Sequence, residues 1–164
     1  MLDDKLHGEI DLYFFNDNGQ SIMQFSLNEE ENPDQANANL IIGFITAIKH
    51  FANEIEFGEK PELLRFIRGD KELRILEGTG SVHGALKIQQ LKNLKEIVYI
   101  QLDELVKSII IRLENDYKEE LAEFNKKGEI AFEGIDDFIK DEIIVMKQQM
   151  FISYLNEILA FAIN

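Results

Sequence analysis

The sequence contains no cysteine and no tryptophan, two prolines, and 17 basic residues against 31 acidic ones. Without cysteine there are no disulfides, thiolate nucleophiles, iron–sulfur clusters or cysteine-ligated zinc, and a reducing compartment such as the cytoplasm is expected. The net charge of −14 opposes binding to nucleic acid or anionic lipid, both held chiefly by lysine and arginine. No long apolar run exists. The first residues, Met1 to His7, are mixed in charge and unlike a secretory signal. The most lipid-like stretch, 143–163, is interrupted by Lys147, Gln148, Gln149, Asn156 and Glu157, so no membrane span is expected.

What is present is enough for a packed core. The 164 residues are 45% hydrophobic with twelve phenylalanines, and a chain of this length buries roughly 70% of its unfolded surface. From Glu9 to Phe15, Ile10, Leu12 and Phe14 point one way, and Tyr13 and Phe15 the other, which predicts a strand apolar on both faces. Asn18-Gly19 supplies the positive φ of a hairpin turn into a second strand, Gln20 to Ser26. Asn32 suits an N-cap and Pro33 a first helical position, opening a helix to about Ile55. Ile41, Phe44, Ile48, Phe51 and Ile55 form its apolar stripe, beside a flatter line of Ala36, Leu40, Gly43 and Ala47. Gly43 costs about 1 kcal/mol in a helix interior, and close approach of another backbone would account for it.

Three short strands follow: Leu63 to Arg68, Glu72 to Glu77, and Ser81 to about Ile88. The turns between them are too short for anything but an antiparallel meander. An apolar spacing of three and four from Leu94 to Phe124 predicts a helix near 30 residues, with a kink or strand-like start around Ile97–Ile100. Asn125-Lys126-Lys127-Gly128 suits its C-terminus. A last helix runs from Ile135 nearly to the end. The expected fold is α/β of the α+β kind: a five-stranded antiparallel sheet in the order β-β-α-β-β-β-α-α. One helix covers one face and two C-terminal helices the other.

Few residues carry a chemical signature. Gly78-Thr79-Gly80-Ser81-Val82-His83-Gly84 matches neither phosphate-loop spacing and reads as a hairpin turn. His50 and Glu54 stand four apart on a helix, too few ligands for a metal. No nucleophile elbow is present. No catalytic, cofactor or metal residue is therefore assigned, and the chain is not expected to be an enzyme. Arg65, Arg68 and Arg74 gather on the third and fourth strands, where Arg65 and Arg74 can pair with carboxylates across the hairpin. Between Glu114 and Glu142 eleven acidic and four basic residues leave net −7, a solvated face or a surface that steers a basic partner.

The Asp11–Phe15 strand, the Asn18-Gly19-Gln20 hairpin and the Leu40–Ile48 helix segment together resemble the longin and roadblock group of profilin-like domains. Glu114–Leu121 and Phe132–Ile139 are similar to longin-like proteins of archaea. The resemblance spans about residues 9–145. It implies a longin-like domain over 1–148 with a helical extension over 149–164. It also implies a non-catalytic adaptor or dimerisation subunit of a complex that regulates small GTPases or vesicle traffic. The implied partners are proteins, a Ras-like small GTPase or a second subunit in a homo- or heterodimer, and the implied interface is Ala36, Leu40, Gly43 and Ala47. Two other roles fit the same resemblance: a subunit of a nucleotide-exchange factor, or a small-molecule sensor with an apolar cavity between sheet and helix.

Overall fold

The computed structural model describes residues 9–27, 33–54, 63–78, 80–89, 96–128 and 130–163. Five strands, β1 (Glu9–Asn16), β2 (Ser21–Ser26), β3 (Leu63–Arg68), β4 (Lys71–Glu77) and β5 (Val82–Gln89), form one antiparallel sheet. Their order across it is β2-β1-β5-β4-β3. Strands β3, β4 and β5 are the expected meander, and β5 pairs along the whole of β1, from Glu9↔Gln89 to Asn16↔Val82. That pairing zips the two hairpin groups into one platform and leaves β2 and β3 as its edges. The alternation read in β1 is the one observed. Ile10, Leu12 and Phe14 join one core cluster, Tyr13 and Phe15 the other, and all five are essentially inaccessible.

The β1–β2 connection is a four-residue loop, 17–20, with Gly19 at φ 76. Asn16 organises it. Its side-chain Oδ1 accepts from the Asn18 and Gln20 amides at 3.1 and 2.9 Å, and its Nδ2 donates to Asn125 Oδ1 at 2.9 Å. A helix far along the chain thus holds the hairpin tip.

Helix α1 (Gln35–Glu54) lies on the Tyr13/Phe15 side. Its N-cap is Asp34, whose Oδ1 accepts from the Asn37 amide at 2.7 Å, so Pro33 precedes the cap instead of following it. Asn32 lies outside the described residues. The core stripe of α1 also differs from the expected one. Ala38, Ile42 and Ile45 are the buried positions, while Phe44 and Phe51 are exposed, Ile41 and Ile48 are partly buried, and Ile55 lies outside the described residues. The helix is apolar around most of its circumference, so spacing alone cannot say which side meets the sheet.

Helices α2 (Glu96–Asp116), α3 (Lys118–Lys127) and α4 (Ile135–Ile163) lie on the other side. Helix α2 rests on β5 and β4, and α4 packs against α2. The single long helix expected here is broken at Tyr117, and no strand-like stretch occupies 97–100. Tyr117 adopts φ −123, ψ 34. Its buried ring meets Phe132 edge-on, and its hydroxyl donates to the Glu133 carbonyl at 2.7 Å, fixing the turn that leads into α4. Gly128 closes α3 in the left-handed conformation, its amide donating to the Phe124 carbonyl at 2.7 Å, as the sequence indicates. Among the described residues no helix is long and apolar enough to cross a membrane.

Two glycines of the β4–β5 region are explained by packing. A Cβ on Gly84 would stand 2.4 Å from Val106 Cγ1, and one on Gly78 would stand 2.6 Å from the Val82 carbonyl oxygen. They admit α2 onto the sheet. Among the described residues nothing in the arrangement suggests a phosphate cradle.

Candidate docking face and polar clusters

The four residues singled out on α1 share one face. Ala36, Leu40, Gly43 and Ala47 are all exposed, Leu40 at 74%. Phe44 and Phe51 extend the same side, at 54% and 65% exposure. A Cβ on Gly43 would meet nothing within 4 Å. The expectation that a backbone of this chain approaches Gly43 is therefore not met by the described residues. The helix turns an uncharged, apolar and locally flat surface outward, in a chain whose charged fraction is 29%. Next to it runs the edge strand β3, whose Phe66 meets Phe44 edge-on at 6.3 Å, while Ile67, like Arg65, alternates to the other face of the sheet. An edge strand carries backbone donors and acceptors that a further strand can pair with.

The arginines are placed differently from that face. Arg65 and Arg74 stand opposite each other in the β3–β4 register. Both bind Glu72, at 2.7 and 3.0 Å, and Arg74 reaches across to Asp103 of α2 at 2.5 Å. The Arg74 guanidinium also lies over the Tyr99 ring, 4.9 Å from its centroid. Arg68, at the end of β3, is exposed. Burial alone would push the Glu72 carboxyl up, but hydrogen bonds and charge from Arg65 and Arg74 outweigh it and hold Glu72 below its ordinary 4.5. Burial opposes the Arg74 charge as well, and Asp103 and Glu72 overcome it. These groups are a structural clamp between sheet and helix.

The sign of the acid response follows. A carboxyl depressed on folding contributes stability that is present above its unfolded value and is lost as pH falls through its folded value. Glu72→Gln is therefore expected to lower stability at neutral pH and to flatten the decline that sets in as pH falls below the ordinary 4.5 of glutamate. Urea midpoints measured across that decline for both proteins check this. Asp11 works the other way: burial raises its carboxyl, so its share of stability shrinks as it ionises with rising pH.

A polar cleft of about 410 Å³ opens at one end of the sheet, lined by Asp17, Thr46, Lys49, His50, Glu77 and His83 among others. The pairing of Phe15 with His83 brings the β1–β2 loop beside the β4–β5 turn. His83 is buried and contacts Asp17, while Lys49 Nζ lies 3.0 Å from Glu77 and 3.3 Å from His83 Nδ1. Sequence reasoning missed this grouping, because nothing local relates His50 to His83. Its charged groups are mutually paired. It is polar, unlike the apolar cavity on which a sensor role would rest. Among the described residues, no three histidine or acidic side chains cluster so as to hold a metal.

No protein-family model matches this chain, and no curated protein matches it. Eleven chains of solved structures do match. One is Myxococcus xanthus MglB, 17% identical, with a TM-score of 0.41 over 57% of this chain and 73% of that one. So distant a likeness carries no functional conclusion. The α+β architecture stands on the sheet order and helix layers described above.

Proposed function

We propose that this chain is a non-catalytic interaction module of the longin and roadblock kind. It docks a protein partner on the outer face of α1 and the adjoining edge of β3. The observation that carries this reading is the exposed stripe Ala36, Leu40, Gly43 and Ala47. It is uncharged, it is flat enough for a second backbone to approach, and no described residue of this chain covers Gly43. A glycine in a helix interior costs about 1 kcal/mol relative to alanine. A partner that needs the space would account for its presence.

The resemblance read in the sequence makes a Ras-like small GTPase the partner to test, with the chain acting in the cytoplasm as an adaptor or dimerisation subunit. The acidic flank between Glu114 and Glu142 lies on α2, α3 and α4, across the sheet from α1, and is not part of this docking face. Titration with small GTPases, nucleotide-free and nucleotide-bound, tests the reading. Leu40→Glu is expected to weaken binding by about tenfold or more, as for a central apolar anchor. It sits on the solvent side of α1, so the far-UV spectrum should not change. Equal binding by wild type and Leu40→Glu, or no binding by any GTPase, would contradict the proposal. A preference for the nucleotide-free form would identify the exchange-factor variant of the same role.

A further inference from the structure

Helix α4 carries two apolar stripes on opposite sides. The inner one, with Ile135, Ile139, Met146 and Met150, is buried on the side packed against α2. The outer one is Ile144, Gln148, Phe151, Leu155, Ile158 and Ala162, spaced by four, three, four, three and four residues. This is the a/d repeat of helices that pack side by side. All six are exposed, the four large ones between 37% and 53%. Val145, Ile152 and Leu159, seven apart, flank the stripe and are exposed too.

We infer that the outer face of α4 is an interface with a second copy of this chain, formed by two α4 helices packed antiparallel. Three observations select that occupant. First, knobs-into-holes packing needs a partner helix with the same repeat, and a second α4 has it by construction. Second, two bodies of charge −14 repel one another. From 148 to 163 the only charged residue is Glu157, which falls on the side opposite the stripe. This is a surface over which two copies can meet at low electrostatic cost. Third, the apolar side chains named expose on the order of 600 Å² per copy, near the ~800 Å² per partner of a stable interface.

A lipid surface is the weaker occupant, since no lysine or arginine lies between 148 and 163 to meet its headgroups. The antiparallel sense follows from where the globular parts sit. Each core packs on the first half of its α4, so parallel pairing would press two acidic bodies together and antiparallel pairing sets them apart. The stripe then matches Ile144 of one copy with Ala162 of the other.

Size-exclusion chromatography with light scattering on the full chain tests this. The wild type is expected at twice its 19.0 kDa mass, and the double variant Phe151→Glu/Ile158→Glu at the single mass with an unchanged far-UV spectrum. Leu40→Glu, on α1, should leave the dimer intact, which separates this interface from the docking face proposed above. The absence of native cysteine allows a direct check of orientation. A mixture of the single variants Ile144→Cys and Ala162→Cys should oxidise to a mixed disulfide dimer in preference to either self-pair. A monomeric wild type at micromolar concentration would overturn the inference. So would a dimer that survives the glutamates, a dimer broken only by Leu40→Glu, or co-sedimentation of a monomer with anionic vesicles.

Discussion

Gly84→Val is expected to destabilise the protein by about 3 kcal/mol or more, even though valine favours strands. Gly84 lies mid-strand in β5, between Phe14 of β1 and Leu76 of β4. A Cβ there would stand 2.4 Å from Val106 Cγ1 and 3.1 Å from Ile110 Cδ1, both on α2 and both buried. The helix must lift from the sheet or Val106 must leave its rotamer, and close-packed interiors accommodate neither cheaply. Gly84→Ala should cost about 1–3 kcal/mol. In combination with Val106→Ala the cost should be less than the sum of the two single changes, because the truncated neighbour makes room. Gly43→Ala provides the contrast. Nothing lies within 4 Å of its Cβ, so the same substitution should stabilise the isolated chain by up to about 1 kcal/mol. Denaturant unfolding of the five variants, Val106→Ala alone included, measures all of this on one scale.

The second large effect is expected at Arg74. Its side chain is 7% exposed and bridges Glu72 and Asp103, joining β4 to α2. Truncation to alanine leaves two carboxylates without their shared cation, a loss of about 3–5 kcal/mol for a buried pair. Arg74→Lys should recover only part of it, because an ammonium does not reproduce the guanidinium fork or its packing on Tyr99. The deficit of the alanine variant should depend on pH. With Arg74 gone, burial keeps pushing Glu72 up while half of its cationic support is lost, so its proton is taken up more readily on folding. The gap to wild type should thus be widest near neutrality and narrow as pH falls past the ordinary 4.5 of glutamate. A constant gap across that range would show that Arg74 acts through packing alone.

Elements set by a local physical cause were legible before any coordinates. The strand at Glu9–Asn16 alternates two apolar sets, and each set found its own core cluster. The capping glycine at 128 was legible for the same reason, since a cation-rich last turn before glycine has a local physical cause. Helix α1 was legible as a helix but not in its orientation. With apolar residues on every side, the stripe through Phe44 and Phe51 competes equally with the one through Ala38, Ile42 and Ile45, and only the sheet beneath decides. The break at Tyr117 left no trace in the periodicity, because Tyr117 and Leu121 continue the three-four spacing across it. Its cause lies fifteen and sixteen residues on, in Phe132 and Glu133. The polar cleft was hidden likewise, since Asp17 and His83 meet only through the β1–β5 register. Of the candidate face, the small-residue line was read from spacing, but its exposure, and the edge strand beside it, required the sheet order.

The central claim, that the outer face of α1 and the edge of β3 form the docking surface, is tested most directly by hydrogen exchange on the full chain. Exchange is measured alone and with a small GTPase that binds it. The account predicts that slowed exchange concentrates in β3 and along α1, strongest from residue 36 to residue 51. Protection confined to the polar cleft around His83, or to α2 and α4 with α1 and β3 unchanged, would contradict it.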